Sequence, residues 1–293
     1  MHAWGLTPSP SEVGPTVGTG VGMAAAALCL LLSLALRPWV FRRLVAAGWT
    51  RGNYQGRCIP RGSGQVPLLA CLPSLAFLAR AAWPSRAEAT VLLAALLFAL
   101  LGLLDDRWGD RGVGGLKGHF RKLLRERILT TGAVKAVGGT LGALALAAWF
   151  QGPQAAPTGV AVGALLIALC ANALNLVDTR PCRVLALFMA GEAALLVWQV
   201  AAGRMAWAPL CLVMGAAPLM PSERRRHSML GDTGANLLGG ALGAHAATQL
   251  PLWGQGALVL LLLWLHLYSE RHSLNETIAS TPWLSRLDRL VQG

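Results

Sequence analysis

Nine times in 293 residues the chain turns apolar for long enough to reach across a bilayer core, or most of the way. The runs cover approximately 16–36, 65–83, 87–104, 131–150, 158–177, 184–201, 206–220, 234–250 and 254–268, with the seventh and ninth short. A hydrocarbon core of about 30 Å takes about 20 apolar residues per helix, and lipid offers no partner to an unpaired backbone amide. Runs of this kind therefore fold as helices packed in a bundle. Composition agrees, with 55% hydrophobic residues, 13% charged residues and a mean hydropathy of +0.53. The expectation is an all-α, polytopic membrane bundle of about nine transmembrane helices, one domain over residues 1–293. The stretches between runs are too short for a separate soluble domain.

Orientation follows from the 25 Lys and Arg, because cytoplasmic loops collect positive charge. Threading nine spans from an outside N-terminus places 21 of them at 37–64, 105–130, 178–183, 221–233 and 269–293. Only Arg80, Arg86 and Arg204 fall opposite, with Lys135 inside a span. The N-terminus is thus expected outside and the C-terminus in the cytoplasm, in the plasma membrane. The first run is expected to be retained, since its basic residues Arg37, Arg42 and Arg43 follow it, whereas a signal peptide carries them before. The net charge of +12 is a topology signal with attraction to anionic headgroups, so no nucleic acid partner is expected. Six scattered cysteines without a CxxC pair suggest neither a disulfide framework nor a zinc site.

Acidic residues are scarce, 13 in all, and five of the six Asp crowd onto the cytoplasmic ends of runs. Asp105, Asp106 and Asp110 close the third, Asp178 closes the fifth, and Asp232 opens the eighth. One such acid is an ordinary solvated helix end. Acids from three helix ends on one membrane face can instead form a hard-oxygen site for Mg²⁺, which favours carboxylates, phosphates and retained waters. Lys117, Arg121, Lys122, Arg180, Arg183 and Arg224 to Arg226 lie on the same face. Metal and cations beside a bilayer suit a diphosphate whose co-substrate is lipid-borne.

Four blocks in order then carry a resemblance: "NYQGRCIPRGSG" (53–64), "GLLDDRWGD" (102–110), "NALNLVDTRPCR" (172–183) and "MLGDTGANLLGG" (229–240). Together they resemble the polyprenyl-phosphate N-acetylhexosamine-1-phosphate transferases, glycosyltransferase family 4. That family includes the MurNAc-pentapeptide translocase and the transferases that initiate teichoic-acid and O-antigen synthesis. The chain departs from the pattern where Pro181 replaces a second acid, Ala235 replaces a serine, and no histidine cluster or tenth span appears.

The resemblance implies transfer of a sugar-1-phosphate from a UDP-sugar, of N-acetylhexosamine type, to polyprenyl (undecaprenyl) phosphate, with Mg²⁺ as cofactor and Mn²⁺ as its substitute. It implies Asp232 as the principal metal ligand and Asp105 and Asp106 as the acidic pair that positions the acceptor and joins the metal shell. Asp178 is expected as a further ligand. Lys135 is expected to neutralise phosphate oxygens. Asn172, Asn175 and Asp178, three apart on one helix face, are expected to hold donor or metal-bound water. Arg180 and Arg183 are expected on the donor diphosphate, with Asn53, Pro60, Gly62 and His227 completing the substrate contacts. The surrounding lipid is a partner, and a homodimer is left open.

Outside these blocks, Glu192 lies deep in the sixth run, where an acid calls for a partner helix or a proton. Residues 269–293 are expected to form an amphipathic tail on the membrane surface, with Ser273 and Glu276 in capping-box spacing. Two other classes stay open at this point. One is a non-catalytic paralogue that binds or delivers a lipid-linked sugar. The other is a transporter, for which the spans offer few mid-membrane polar groups.

Overall fold

The structure, a computed structural model, describes residues 18–53, 55–81, 85–109 and 130–293. Asp110, Lys117, Arg121 and Lys122 lie outside these residues. Helices occupy all nine apolar segments: α1 (Thr19–Ala46), α2 (Gln65–Ala81), α3 (Arg86–Trp108), α4 (Thr131–Gln151), α5 (Pro157–Val177), α6 (Arg183–Ala201), α7 (Trp207–Ala216), then α8 (Met220–Arg224) after a 3-10 turn, α9 (Gly231–Gln249) and α10 (Leu252–Ser269). Two further helices follow, α11 (Leu274–Ser280) and α12 (Pro282–Gln292). Among the described residues six helices, α1, α3, α4, α5, α6 and α10, are long and apolar enough to cross a membrane. The fold is a helical membrane bundle.

Local signals set several helix ends. Ser85 Oγ accepts from Glu88 N to open α3, and Thr130 Oγ1 accepts from Ala133 N to open α4. Pro157 stands at the start of α5, where its missing N–H costs nothing. Glu88 Oε1 in turn accepts from the backbone N–H groups of Trp207 and Ala208, tying α3 to the first turn of α7.

Two features differ from the expectation. The first helix does not stop near residue 36 but continues through Pro38 to Ala46, carrying Arg37, Arg42 and Arg43 on its last turns. Arg37 donates to the Pro218 carbonyl at 2.7 Å, so a neighbouring turn receives the charge. The loop beyond is an antiparallel hairpin, β1 (Thr50–Gly52) paired with β2 (Cys58–Pro60).

At the centre stands α9, with fifteen of its nineteen residues buried. It packs most extensively on α3 and α5 and also on α6. Its Gly- and Ala-rich sequence permits this, since small residues let helix backbones approach closely where no hydrophobic driving force acts between helices. Its moderate hydropathy reflects this position, because it faces protein rather than lipid. About one turn before its C-terminal end, His245 Nδ1 lies 2.6 Å from Glu192 Oε2 of α6, both side chains being almost wholly buried. This is the partner Glu192 required.

Candidate functional site

The C-terminal end of α3 and the N-terminal ends of α4 and α9 meet at one end of the bundle, beside the turn that follows β2. That turn is stitched to the segment before α9 by main-chain bonds. Met229 N donates to the Pro60 carbonyl, Gly62 N and Ser63 N donate to the Met229 carbonyl, and Gly64 N donates to the Leu230 carbonyl. The approach is so close that a Cβ on Gly64 would overlap the Cα of Gly234, and one on Gly102 would overlap the Asp232 carbonyl. Glycine is required at both positions for the three segments to meet.

Three carboxylates and two cations converge here. Lys135 Nζ lies 3.0 Å from Asp232 Oδ2 and 3.5 Å from Asp105 Oδ2. Arg61 Nε lies 3.0 Å from Asp106 Oδ1, while its Nη2 lies 2.8 Å from Asp232 Oδ1. Thr131 Oγ1 donates to Asp105 Oδ1 at 2.8 Å. The order Asp105, Lys135, Asp232, Arg61, Asp106 alternates in sign, which lets five charges share a half-buried corner.

The expected residues fall into three groups. Asp105, Asp106, Lys135 and Asp232 are brought together. Asp106 nevertheless differs from its expected role as a metal ligand. Its side chain is 1% exposed, and Oδ1 accepts from Arg61 and Asp232 N while Oδ2 accepts from Thr233 N and Thr233 Oγ1. With four donors supplied by protein it caps α9, whose free N–H groups and positive end favour a carboxylate. Asn175 Oδ1 accepts from Asn236 Nδ2 at 3.3 Å, and Asn236 also donates to the Asp232 carbonyl, so this amide pair braces the turn that carries Asp232. Asn172 sits one turn earlier on α5, half-buried.

A second group lines a cavity of about 40 Å³ next to the cluster: Asn53, Asp178, Arg180, Pro181, Glu223 and Arg226 contribute to its wall. Two residues at its margin, Cys182 and Arg226, adopt left-handed backbone, φ +64° and +58°. Such non-glycine residues are uncommon and collect at functional sites. Cys182 is held there by its N–H, which donates to Glu223 Oε2 at 2.7 Å. Burial pushes the Glu223 carboxyl up to about 7 and the Cys182 thiol up to about 12. Asp178 is raised well above the usual carboxylate range, first by desolvation and then by the negative charges of Glu223, Asp232 and Asp106.

The third group is placed elsewhere. Arg183 is not free for a donor diphosphate: Nε and Nη2 form a fork with both oxygens of Asp288 at 2.6 and 2.8 Å, and Nη1 donates to Asn275 and Thr179. Asn53, although it contributes to the cavity wall, has its Oδ1 taken by Gln55 N and Arg57 N, which shapes the hairpin loop. His227 is exposed on the turn after α8.

Sequence reasoning missed Arg61, Thr131, Thr233, Asn236 and Glu223. Arg61 sits inside a block quoted above, yet nothing set it apart from the other arginines of its loop. Glu223 carries a signal of sorts, being an acid amid the basic run that ends in Arg226.

Among the described residues no group of three or more His, Cys, Asp or Glu is placed to hold a metal ion. The ion pairs explain this, since Lys135 and Arg61 stand between the carboxylates. Asp232 and Asp105 remain 18% and 22% exposed at their side chains, with hard oxygens side by side about Lys135. That donor set fits Mg²⁺, which is commonly held by one or two carboxylates with phosphate oxygens and water. The saturated Asp106 does not. Compared with protein-family models and with curated proteins, the chain finds no match in either.

Proposed function

We propose that this chain is a glycosyl-1-phosphate transferase of the polyprenyl-phosphate N-acetylhexosamine-1-phosphate transferase type, with nine spans, an outside N-terminus and its site on the cytoplasmic face. The acceptor polyprenyl phosphate attacks the phosphorus next to the sugar of a UDP-sugar. The products are a polyprenyl-diphospho-sugar and UMP, in cell-wall or surface-glycan synthesis. The observation that carries this reading is the five-residue cluster of Asp105, Lys135, Asp232, Arg61 and Asp106 where three helix ends meet.

Each residue has work in this reaction. Lys135 and Arg61 exchange a carboxylate partner for phosphate oxygens and offset charge on the transferring group. Thr131 fixes the Asp105 carboxylate. Asp106 holds the first turn of α9 and with it Asp232. Asp232 and Asp105 would hold Mg²⁺, which supplies electrostatic stabilisation to the diphosphate. No residue is needed as general base, because a phosphate monoester with a second pKa of about 6 is mostly dianionic at neutral pH.

The saturation of Asp106 favours a second reading, in which the closed ion-pair network is a structural lock and the chain binds or delivers a lipid-linked sugar without turnover. Purified protein incubated with undecaprenyl phosphate, Mg²⁺ and a panel of UDP-sugars separates the two. Release of UMP that is lost in Lys135→Ala supports transfer. Saturable binding of lipid-linked sugar with no UMP from any donor overturns it.

A further inference from the structure

Helix α12 presents two different faces. One is held by the bundle: Asp288 receives the Arg183 fork, and the carbonyls of Leu290 and Val291 accept from Arg224 at 3.3 and 3.0 Å. The other is an apolar stripe of Trp283, Leu287 and Leu290, spaced four and three apart, at 62%, 52% and 71% exposure. Arg286 and Arg289 run along the outer edge of that stripe, both exposed.

We propose that α12 docks on an anionic lipid surface, with Trp283, Leu287 and Leu290 among the acyl chains and Arg286 and Arg289 on the headgroups. Charge decides the occupant. A stripe edged by arginines complements anionic lipid, whereas the same edge on a second copy would repel it. Continuity supports this, because only the short helix α11 separates α12 from the membrane helix α10. The indole and the two arginines are also side chains that place an apolar body in lipid and a polar end in water. Arg183 gives the docking a consequence at the cavity. It opens α6 directly after the turn 179–182 and holds Thr179 as well as Asp288, so the lipid-bound helix and the cavity wall share one guanidinium. The surface is separate from the transfer reaction and stands without it.

The test uses the full chain in nanodiscs of phosphatidylcholine with or without phosphatidylglycerol. A bimane label is placed at Leu290→Cys in a Cys58→Ser background, Cys58 being the exposed cysteine and the other five buried. Brominated acyl chains should quench it about three-fold more with phosphatidylglycerol than without. A label at the exposed Ser280→Cys should stay unquenched, and Arg286→Glu with Arg289→Glu should abolish the difference. Hydrogen exchange of unlabelled wild type should show 282–292 slowed in the anionic discs. Equal quenching in both lipids, no quenching with fast exchange, or protection only where two copies share a disc each overturns the proposal, the last in favour of a second copy.

Discussion

Arg61 Nη2 donates to Asp232 Oδ1 at 2.8 Å, joining residues 171 positions apart in the chain. Through Nε the same side chain also reaches Asp106, so one guanidinium spans the capping acid and the open acid. Arg61→Ala should therefore reduce UMP release by about 10²-fold or more, the scale for losing one charged donor at a transferring group. Arg61→Lys should recover only part, since a lysine cannot serve two carboxylates with a planar fork. Activity within a few-fold of wild type in Arg61→Ala would remove this residue from the site.

Asp106 and Asp232 should fail differently. Asp106→Asn replaces one of the two oxygens that accept from Arg61, Thr233 and the α9 amides with a donor and should cost about 1–3 kcal/mol in unfolding, with the Mg²⁺ dependence of residual activity unchanged. Asp232→Asn should abolish turnover with a smaller loss of stability. Metal titrations beside thermal unfolding check this, and a shifted metal midpoint in Asp106→Asn contradicts its role as a cap.

Glu223 gives a pH signature. Its folded pKa of about 7 exceeds the ordinary 4.5, so the folded chain holds a proton across that interval that the unfolded chain has lost. Stability contributed by the protonated carboxyl is complete below pH 4.5 and lost as pH rises through about 7, on the order of 3 kcal/mol in all. The raised Asp178 acts in the same direction. Unfolding temperature between pH 5 and 8 should fall less in Glu223→Gln than in wild type, and equal slopes would exclude Glu223 as the source.

If Arg183 serves the tail, then Asp288→Ala should loosen it in the same direction as Arg183→Ala, which also loses Asn275 and Thr179, and the double variant should be no worse than Arg183→Ala. Limited proteolysis across 270–282 reads the tail directly. Were Arg183 a donor contact, its alanine variant alone would raise the Michaelis constant for the UDP-sugar, and Asp288→Ala would leave it unchanged.

The helices were legible because lipid forces apolar runs into that form, and Asp105 and Asp106 could be placed at the end of α3 because its apolar run stops there, although the helix itself continues to Trp108. The continuation of α1 was hidden by Arg37, Arg42 and Arg43, which look like a loop boundary although long cationic side chains reach polar surroundings from a helix. The hairpin was hidden because three-residue strands carry no readable alternation. Glu192 announced itself as a buried acid, but His245 stood in a run of glycine and alanine that gave no reason to choose it. The pairing of Arg183 was hidden for a simple reason: its partner Asp288 lies 105 positions away and is returned by the tail.

At Gly64 and Gly102 the joint between the turn after β2, α3 and the start of α9 is made main chain to main chain, with no room for an added side chain. Larger or smaller residues cannot adjust its spacing by degrees, as they can in an ordinary core. The separation of Asp106 from Asp232 is thereby fixed by peptide geometry. One side of this end of the bundle is thus set by main chain and the other, residues 178–181 and 226, by side chains, so substitutions can reshape the second without moving the first.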